Sequence, residues 1–360
     1  MLSYSSIRSD ASCRRIVGAS MPVTYEYVVK RIFLLVLVVL GVLVVTFILT
    51  RVIPARPEIL WAGPHAPLEV IEKARKELHL DEPIYVQLFY YLRDFFSGNW
   101  GVSWRTKQPV LQDILSALPA TLELVIVGFV IAVALGIPLG FYSALKAGSI
   151  VDDVIRGVAI VGASTPVFWI ALVFQLVFSI WLGVLPAGKR VDTALAIMTG
   201  FKPITGFYLI DSLIQGNVPV FIDAAKRIIL PAITLSLYPL SLTIRMVRSL
   251  AIEVLNENYV RFLDVNGINQ RILIYKYVLR GVISPVIASL GLSFGYTIIG
   301  AFMIELIYVW PGIGYYAGMA LLSYDYPAVL GSIVFVAIFY SAINLVVDLI
   351  HAWIDPRVKL

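Results

Sequence analysis

A chain of 360 residues with one cysteine, three histidines and a charged fraction of only 14% is short of the residue types that build disulfides, metal sites and soluble surfaces. Cys13 alone closes no internal disulfide, and His65, His79 and His351 stand too far apart to read as a zinc or haem constellation. A metalloenzyme is therefore not expected, nor is any cofactor bound by this chain. The phosphate-cradling pattern G-x-x-x-x-G-K-[ST] does not occur. Its nearest relic, Gly188-Lys189, is followed by Arg190 rather than by a hydroxyl to hold magnesium, which excludes an ATPase of that type in this chain alone. Soluble domains are about 25% charged, and one with 59% hydrophobic residues and so few charges would aggregate. The formal charge of +5 hints at nucleic acid. Yet the 28 lysines and arginines are scattered between apolar stretches and read as topology signals, so no nucleic-acid partner is expected.

What the chain has in abundance is uncharged apolar sequence, in runs near the length of about 18 residues that crosses a hydrocarbon core roughly 30 Å thick. Six runs qualify: 32–50, 119–142 (interrupted by Glu123), 157–184, 228–244, 281–304 and 328–347. Backbone amides cannot go unpaired in lipid, so each is expected to be a helix, with Pro138, Pro166, Pro231, Pro239 and Pro285 marking kinks rather than ends. The expected fold is an all-α polytopic membrane protein with six transmembrane helices, an external helical subdomain between the first two spans and a cytoplasmic loop after the fourth. An even number of spans puts both termini on one side. Lys30 and Arg31 precede the first span, Lys146 and Arg156 flank the turn after the second, and Arg245, Arg248, Arg261, Arg271, Lys276 and Arg280 follow the fourth. Segment 306–327, after the fifth, has no basic residue, so the positive-inside rule puts the termini in the cytoplasm of a cell membrane. The chain divides into a cytoplasmic tail (1–31), the first span (32–50), the external subdomain (51–118), a five-span core (119–350) holding the cytoplasmic loop 245–281, and a second tail (351–360). Residues 1–20, with Arg8, Arg14, Arg15 and many serines but no apolar core, are neither signal peptide nor span. They read as an extended tail or an over-called start ahead of Met21.

The external subdomain is expected to be ordered. Pro67 starts a helix with Val70, Ile71, Ala74 and Leu78 on one face, and Asp81 reads as the N-cap of a second. That second helix, 84–96, carries one stripe of Ile84, Leu88, Tyr91 and Phe95 and a neighbouring stripe of Tyr85, Phe89, Leu92 and Phe96 before Gly98 stops it. So wide an apolar face packs on the other helix or on the membrane surface. A purely structural cap and a receiver for a substrate-delivery partner are both open. Between 185 and 227 lies another external segment, in which 207–222 is apolar but broken by Asp211, Gln215, Gly216, Asn217 and Pro219, and reads as interfacial or re-entrant.

Few constellations suggest chemistry. Gly291-Leu292-Ser293-Phe294-Gly295 fits G-x-S-x-G but sits mid-span without a histidine, and it fits G-x-x-x-G helix packing equally well, as does 136–140. Glu123, Glu305 and Asp348 stand at span edges and are candidates for lining a translocation path, against snorkelling or a structural hydrogen bond. The most informative stretch is 245–285, where 251–266 can form one helix, Asn266-Gly267 breaks it and Asn269 can cap another. Such a corner is a short rigid ridge, joined directly to two spans and able to transmit force, or else a hairpin with no partner.

This corner resembles the EAA loop of importer-type ATP-binding-cassette permeases, in the form used by the B-type subunit of the dipeptide and oligopeptide branch. The matching residues are Glu257-Asn258-Tyr259-Val260-Arg261, Gly267, Leu279-Arg280 and Pro285. Further matches run from Leu80-Asp81-Glu82-Pro83 through Pro119-Ala120-Thr121-Leu122-Glu123, Thr165-Pro166, Leu185-Pro186-Ala187, Leu230-Pro231-Ala232, Glu305 with Trp310-Pro311-Gly312-Ile313-Gly314, and Asp325-Tyr326-Pro327 to Asp355-Pro356-Arg357. The resemblance implies a permease subunit that is not itself an enzyme. It would pair with a second homologous permease, couple to two separate ABC ATPase subunits, sit among membrane lipid and take a small polar solute from an extracytoplasmic substrate-binding protein. Carried over by position, the ATPase-coupling residues are Glu257, Tyr259, Val260, Arg261, Phe262, Leu263, Asp264, Asn266, Gly267 and Arg271. Short peptides are the best cargo reading, with oligosaccharides or nickel chelates as alternatives in the same role. A self-sufficient secondary transporter or channel is a distant rival, lacking mid-span coupling charges. Three departures stand out: Asp264 and Asn266 replace basic residues before the glycine, His79 replaces a helix-ending glycine, and Lys226-Arg227 stand where a histidine is usual.

Overall fold

The computed structural model describes residues 25–52, 56–63 and 65–354, with side chains throughout these except at 25–27, 284, 288, 292 and 350–354. Residues 1–20, with Cys13, and the Asp355-Pro356-Arg357 match lie outside the described residues, as do most of both expected tails. In chain order the helices are α1 (Tyr25–Phe47, carried on as a wider π turn over Ile48–Val52), α2 (Pro57–Ala62), α3 (Leu68–Glu77), α4 (Ile84–Phe96) and α5 (Val110–Leu145). Then come α6 (Ile150–Ser164), α7 (Val167–Phe174, continued as π turns over Gln175–Trp181), α8 (Thr193–Met198), α9 (Tyr208–Ile214) and α10 (Val218–Leu255). The rest are α11 (Asn258–Val265), α12 (Gln270–Ile272, continued as π turns over Leu273–Val278), α13 (Leu279–Ile307), α14 (Ile313–Leu322) and α15 (Tyr326–Ile354). Among the described residues the one β-type pairing is an isolated antiparallel bridge between Val102 and Pro109. The protein is all-α and multi-pass.

Four stretches are helical, long and apolar enough to cross a membrane: Val28–Val52, Val110–Leu145, Gln270–Gly291 and Tyr326–Leu349. The pair Ile150–Ser164 and Val167–Trp181 meets the same standard jointly but is bent by 106°. Length and composition thus give four or five spans. The expected run 228–244 is the middle of α10, where Lys226, Arg227, Arg245 and Arg248 stand at its edges and shorten the apolar window.

Two expectations about helix continuity are corrected. Pro166 was expected to kink a continuous helix, but α6 stops at Ser164, because a proline pushes the residue before it out of the helical region and Thr165 is extended at φ −84°, ψ 132°. Residues 251–266 were expected as one helix; α10 instead ends at Leu255 and α11 starts afresh at Asn258, with Glu257 extended between them. Pro138, Pro231, Pro239 and Pro285 do lie inside helices.

The alternation of helix directions gives the bundle two ends. The ends of α5, α10 and the starts of α6 and α13 gather at one, together with α11 and α12, hereafter the elbow end; the start of α1 and the finish of α15 return there, joined by an Arg31–Asp348 ion pair at 2.8 Å. The opposite, far end carries residues 56–109 and 185–217. At its centre α10, 38 residues long, lies against α5, 36 residues long. The approach is close because of glycine: a Cβ on Gly136 would stand 2.8 Å from Thr243, and one on Gly140 would stand 2.7 Å from the Ile244 carbonyl oxygen. Ser293 donates to the carbonyl of Ser289 at 3.2 Å, spending its hydroxyl on its own helix.

In the far-end subdomain α3 buries Ala74 and Leu78, while Ile71 is half-buried and Val70 exposed. Asp81 is not the N-cap of α4. That place belongs to Pro83, and Asp81 pairs with Arg75 at 2.7 Å instead. His79 has φ +52°, the left-handed conformation that favours glycine, and its ring stacks on Tyr90 at 3.8 Å. Leu88, Tyr91 and Phe95 of one stripe of α4 are half-buried, with Tyr91 against Phe47 of α1 at 5.6 Å, whereas Ile84 at its start and Tyr85, Phe89 and Phe96 of the other stripe are exposed. Segment 207–222 is not one element: α9, a turn at Gln215–Asn217 and the start of α10 share it.

Two substitutions test the glycine contact. Gly140→Leu is expected to destabilise the protein by roughly 1–3 kcal/mol through overpacking, whereas Gly157→Ala, with nothing within 4 Å, is expected to be neutral or stabilising. Thermal unfolding in detergent, followed by size-exclusion chromatography, reads the difference.

Candidate coupling elbow and the far-end polar node

The elbow is built from an apolar floor and a polar rim. Val260 and Leu273 are buried together with Phe141 and Ala144 of α5, Val247 and Ala251 of α10, and Val278, Val282 and Val286 leading into α13; Leu263 and Ile268 pack at the edge. The corner is thus fixed to three long helices by hydrophobic burial, worth about 25 cal/mol per Å² of apolar surface removed from water. Gly267 turns the chain at φ +76° with open space around it, and Asn269 caps α12, accepting from the Arg271 amide at 2.9 Å. Asn266 donates to the Phe262 carbonyl at 2.7 Å, closing α11, and Gln270 donates to Asp264 at 2.7 Å across the corner. Arg261 reaches Asn256 at 3.4 Å. Glu257 holds the extended N-cap position of α11 without a side-chain cap bond.

With its inner face committed, α11 turns a different set outward. Phe262 is 67% exposed and Val265 88% exposed, with Tyr259, Arg261, Asp264 and Asn266 exposed beside them. Of the sequence candidates, then, Val260 and Leu263 seat the corner, Gly267 turns it and the rest form its outward ridge.

Beneath the elbow lies a charge pair that sequence reasoning passed over. Asp152, fully buried in the first turn of α6, accepts from Arg248 of α10 at both oxygens, 2.7 and 2.8 Å, from Ser143 of α5 at 2.5 Å and from the Gly148 amide at 3.0 Å. A carboxylate so placed needs both its guanidinium fork and its amide donors to offset desolvation. Arg248 was legible only as a topology signal. Nothing in the spacing said that the short turn after the second span would carry its partner.

At the far end, Glu123 and Glu305 are buried and engaged. Glu123 of α5 pairs with Arg190 and accepts from the Leu209 amide at 2.8 Å. Arg190 also donates to the Gly206 carbonyl at 2.6 Å and lies 3.7 Å over the Tyr208 ring, which pins the 185–217 segment onto the bundle. Glu305, at the end of α13, accepts from the amides of Gly314 and Tyr315 at 2.7 and 3.3 Å at the start of α14. Gly312 permits that approach, since a Cβ there would lie 2.4 Å from the carboxylate. Tyr308 and Trp310 complete the node: the Tyr308 hydroxyl donates to the Ala171 carbonyl at 3.1 Å and the Trp310 indole to the Ala120 carbonyl at 2.8 Å. Asp348 is remote from both, at the elbow end. Arg227 donates to the Gly188 carbonyl and to Asp223, each at 2.8 Å.

Asp211 holds the loop that presents Gly206 to Arg190. Burial works against its charge, but bonds from Thr205, through both hydroxyl and amide, and from the amides of Ile204 and Gly206 overcome it and keep its carboxyl below the usual range. Because the folded value is depressed, its stabilising contribution is complete above the unfolded value of about 3.9 and is lost as pH falls through the folded one. Asp211→Asn is therefore expected to lower the melting temperature near pH 7 and to lose less on acidification than the parent, as a pH series of melting curves checks. Glu123→Leu, leaving Arg190 buried and unpaired, is expected to cost about 3–5 kcal/mol, with Glu123→Leu/Arg190→Met recovering most of it. Equal losses in the single and double variants would contradict the pairing.

Comparison with known proteins agrees with this architecture. Residues 136–360 match the family described as binding-protein-dependent transport system inner membrane component, and residues 24–125 match its N-terminal companion family. The chain is 41% identical over 329 residues to a probable D,D-dipeptide transport system permease protein of Escherichia coli K12, covering 91% of this chain and 96% of that one. It is 37% identical to a dipeptide transport system permease protein of Alkalihalophilus pseudofirmus, covering 92% and 99% of the two chains, and 34% identical to one of Escherichia coli K12, covering 93% and 98%. The first family match spans more than half of the chain, and the protein belongs to the binding-protein-dependent transport system inner membrane component family.

Proposed function

We propose that this chain is the permease subunit of an ABC importer for short peptides, forming half of a translocation path with a second, similar permease. Two separate ATPases grip the elbows, and an extracytoplasmic binding protein supplies cargo at the far end. The observation that carries the reading is the elbow itself. Phe262 and Val265 face water on a helix whose opposite side is sealed onto α5, α10 and α13, so a partner that seizes the ridge moves those helices as one body. A buried aromatic with an apolar neighbour is the ordinary anchor of a protein interface. The peptide cargo rests on the dipeptide transport named for the relatives.

In this reading the elbow end is cytoplasmic, which the basic residues there support, and the spans number six: α1, α5, the bent pair of α6 and α7, α10, α13 and α15. Glu123, Glu305 and Asp348 hold the frame of the path rather than touch the cargo; their bonds to Arg190, to the start of α14 and to Arg31 support that assignment. The chain supplies no chemistry and binds no nucleotide.

In proteoliposomes holding the full importer, Phe262→Ala/Val265→Ala is expected to weaken ATPase docking by roughly tenfold or more. Gly267→Pro, which cannot adopt φ +76°, is expected to uncouple ATP hydrolysis from peptide uptake while membrane insertion persists. Unaltered uptake in both would remove the elbow from the mechanism. Uptake by this chain alone under an ion gradient would replace the importer with a secondary transporter.

A further inference from the structure

A cavity of about 450 Å³ lies in the far-end subdomain, away from the elbow and from the Glu123 and Glu305 node. It is walled by α3, α4 and the 99–107 loop and backed by Leu330, Gly331 and Val334 on the first turns of α15. A volume of 300–1,000 Å³ is typical of small-molecule sites. Its walls are aromatic, with Trp61, Tyr91, Phe95, Trp100 and Trp104 around it. The aromatic frame is rigid: the Trp104 indole donates to the Trp61 carbonyl at 2.9 Å, and Trp100 stacks on Phe95 at 4.9 Å.

Charges of both signs line this cavity, and they fall into two groups. Arg51 is spent on the Leu78 carbonyl and Asp94 is paired with Arg93 at 3.0 Å. Lys73, Glu77 and Lys107 also line it, and among the described residues none of the three forms a salt bridge. Lys73 and Glu77 are one turn apart on α3, a spacing at which they could have paired with each other. Lys107 enters from the facing loop at φ +61°, a left-handed conformation that costs a non-glycine residue energy, in a turn where its amide donates to the Ser103 carbonyl at 3.0 Å. Two cations and one anion, unpaired around an aromatic hollow, suit a molecule that carries an anionic group and an ammonium separated by an apolar body.

We propose that this cavity is a binding site for a short zwitterionic peptide, with Lys73 and Lys107 receiving its carboxylate, Glu77 its ammonium and the tryptophans its side chains. The site stands ahead of the membrane path and separate from it. The choice of a peptide among zwitterions rests on the proposed import role; the charge pattern does not.

The test is equilibrium dialysis of radiolabelled alanyl-phenylalanine against the complete transporter, without binding protein, in phosphatidylcholine nanodiscs. Saturable binding is expected, with the N-acetylated peptide and the peptide amide each about tenfold weaker, as befits the loss of one charge-assisted contact. Glu77→Gln is expected to abolish the preference for the free ammonium while still binding the N-acetylated peptide, which also shows that the variant is folded. Lys73→Ala/Lys107→Ala is expected to abolish the preference over the amide in the same way. Absence of saturable binding, or preferences that survive both variants, would overturn the site. So would binding only of phosphatidylethanolamine, offered in a parallel nanodisc. ATP-driven uptake by the unaltered transporter is measured alongside. Uptake without variant-sensitive binding removes the cavity and leaves the import role, whereas variant-sensitive binding without uptake does the reverse.

Discussion

A buried carboxylate at the meeting point of three long helices sets the terms for everything at the elbow end. Asp152 accepts from Arg248, Ser143 and the Gly148 amide at once, so α5, α6 and α10 cannot move apart there without stranding a charge. The hydrophobic floor of the elbow, from Val247 and Ala251 to Val260 and Leu273, is built on the ends of two of those helices, α5 and α10. In the proposed role, rigidity at the base would let an amphipathic corner of two short helices act as a handle rather than a loop. Apolar burial seats the corner, and the ion pair keeps its seat in one piece.

The far end solves a different problem with similar means. Long connections there, made of short helices and loops, must be held onto the bundle, and buried polar contacts do this. Glu123 and Arg190 tie the 185–217 segment to α5, Glu305 ties α14 to α13, and Asp325 accepts from Ser103 at 2.5 Å and from the Arg105 amide at 3.1 Å, tying the 97–109 loop to the start of α15. Glycines 188, 206 and 312 stand where a Cβ would strike the facing group. Each connection is therefore anchored at one buried acid, and the spaces left between anchors include the aromatic cavity against α15.

Much of this was legible in the sequence, and the limits have physical causes. Long uncharged runs located α1, α5, α13 and α15 because lipid imposes length and polarity together. The run 84–96 matches the bounds of α4 because its apolar spacing and Gly98 mark them, although the cap place read for Asp81 belongs to Pro83. Asn269 declared itself as a cap because a cap is a local event. Thr165-Pro166 did not reveal a 106° bend, since the same dipeptide also occurs in gently kinked helices. The split at Asn256-Glu257 escaped because no glycine or proline marks it. Partnerships were the least legible of all: Asp152 with Arg248, or Glu123 with Arg190, joins residues far apart in the chain, and only the packed fold makes them neighbours. His79 is an instructive middle case, where a departure from the family's glycine coincides with a left-handed φ that the Tyr90 stack accompanies.

The central claim is that the ridge of α11 faces the cytoplasm and is covered there by a motor. The most direct measurement places one cysteine at Val265, in a background with Cys13→Ser, and labels it with a membrane-impermeant maleimide. Labelling is expected only in inside-out vesicles, and it is expected to be blocked when the ATPases are bound. Labelling of intact cells, or of inside-out vesicles equally with and without ATPases, would contradict the account.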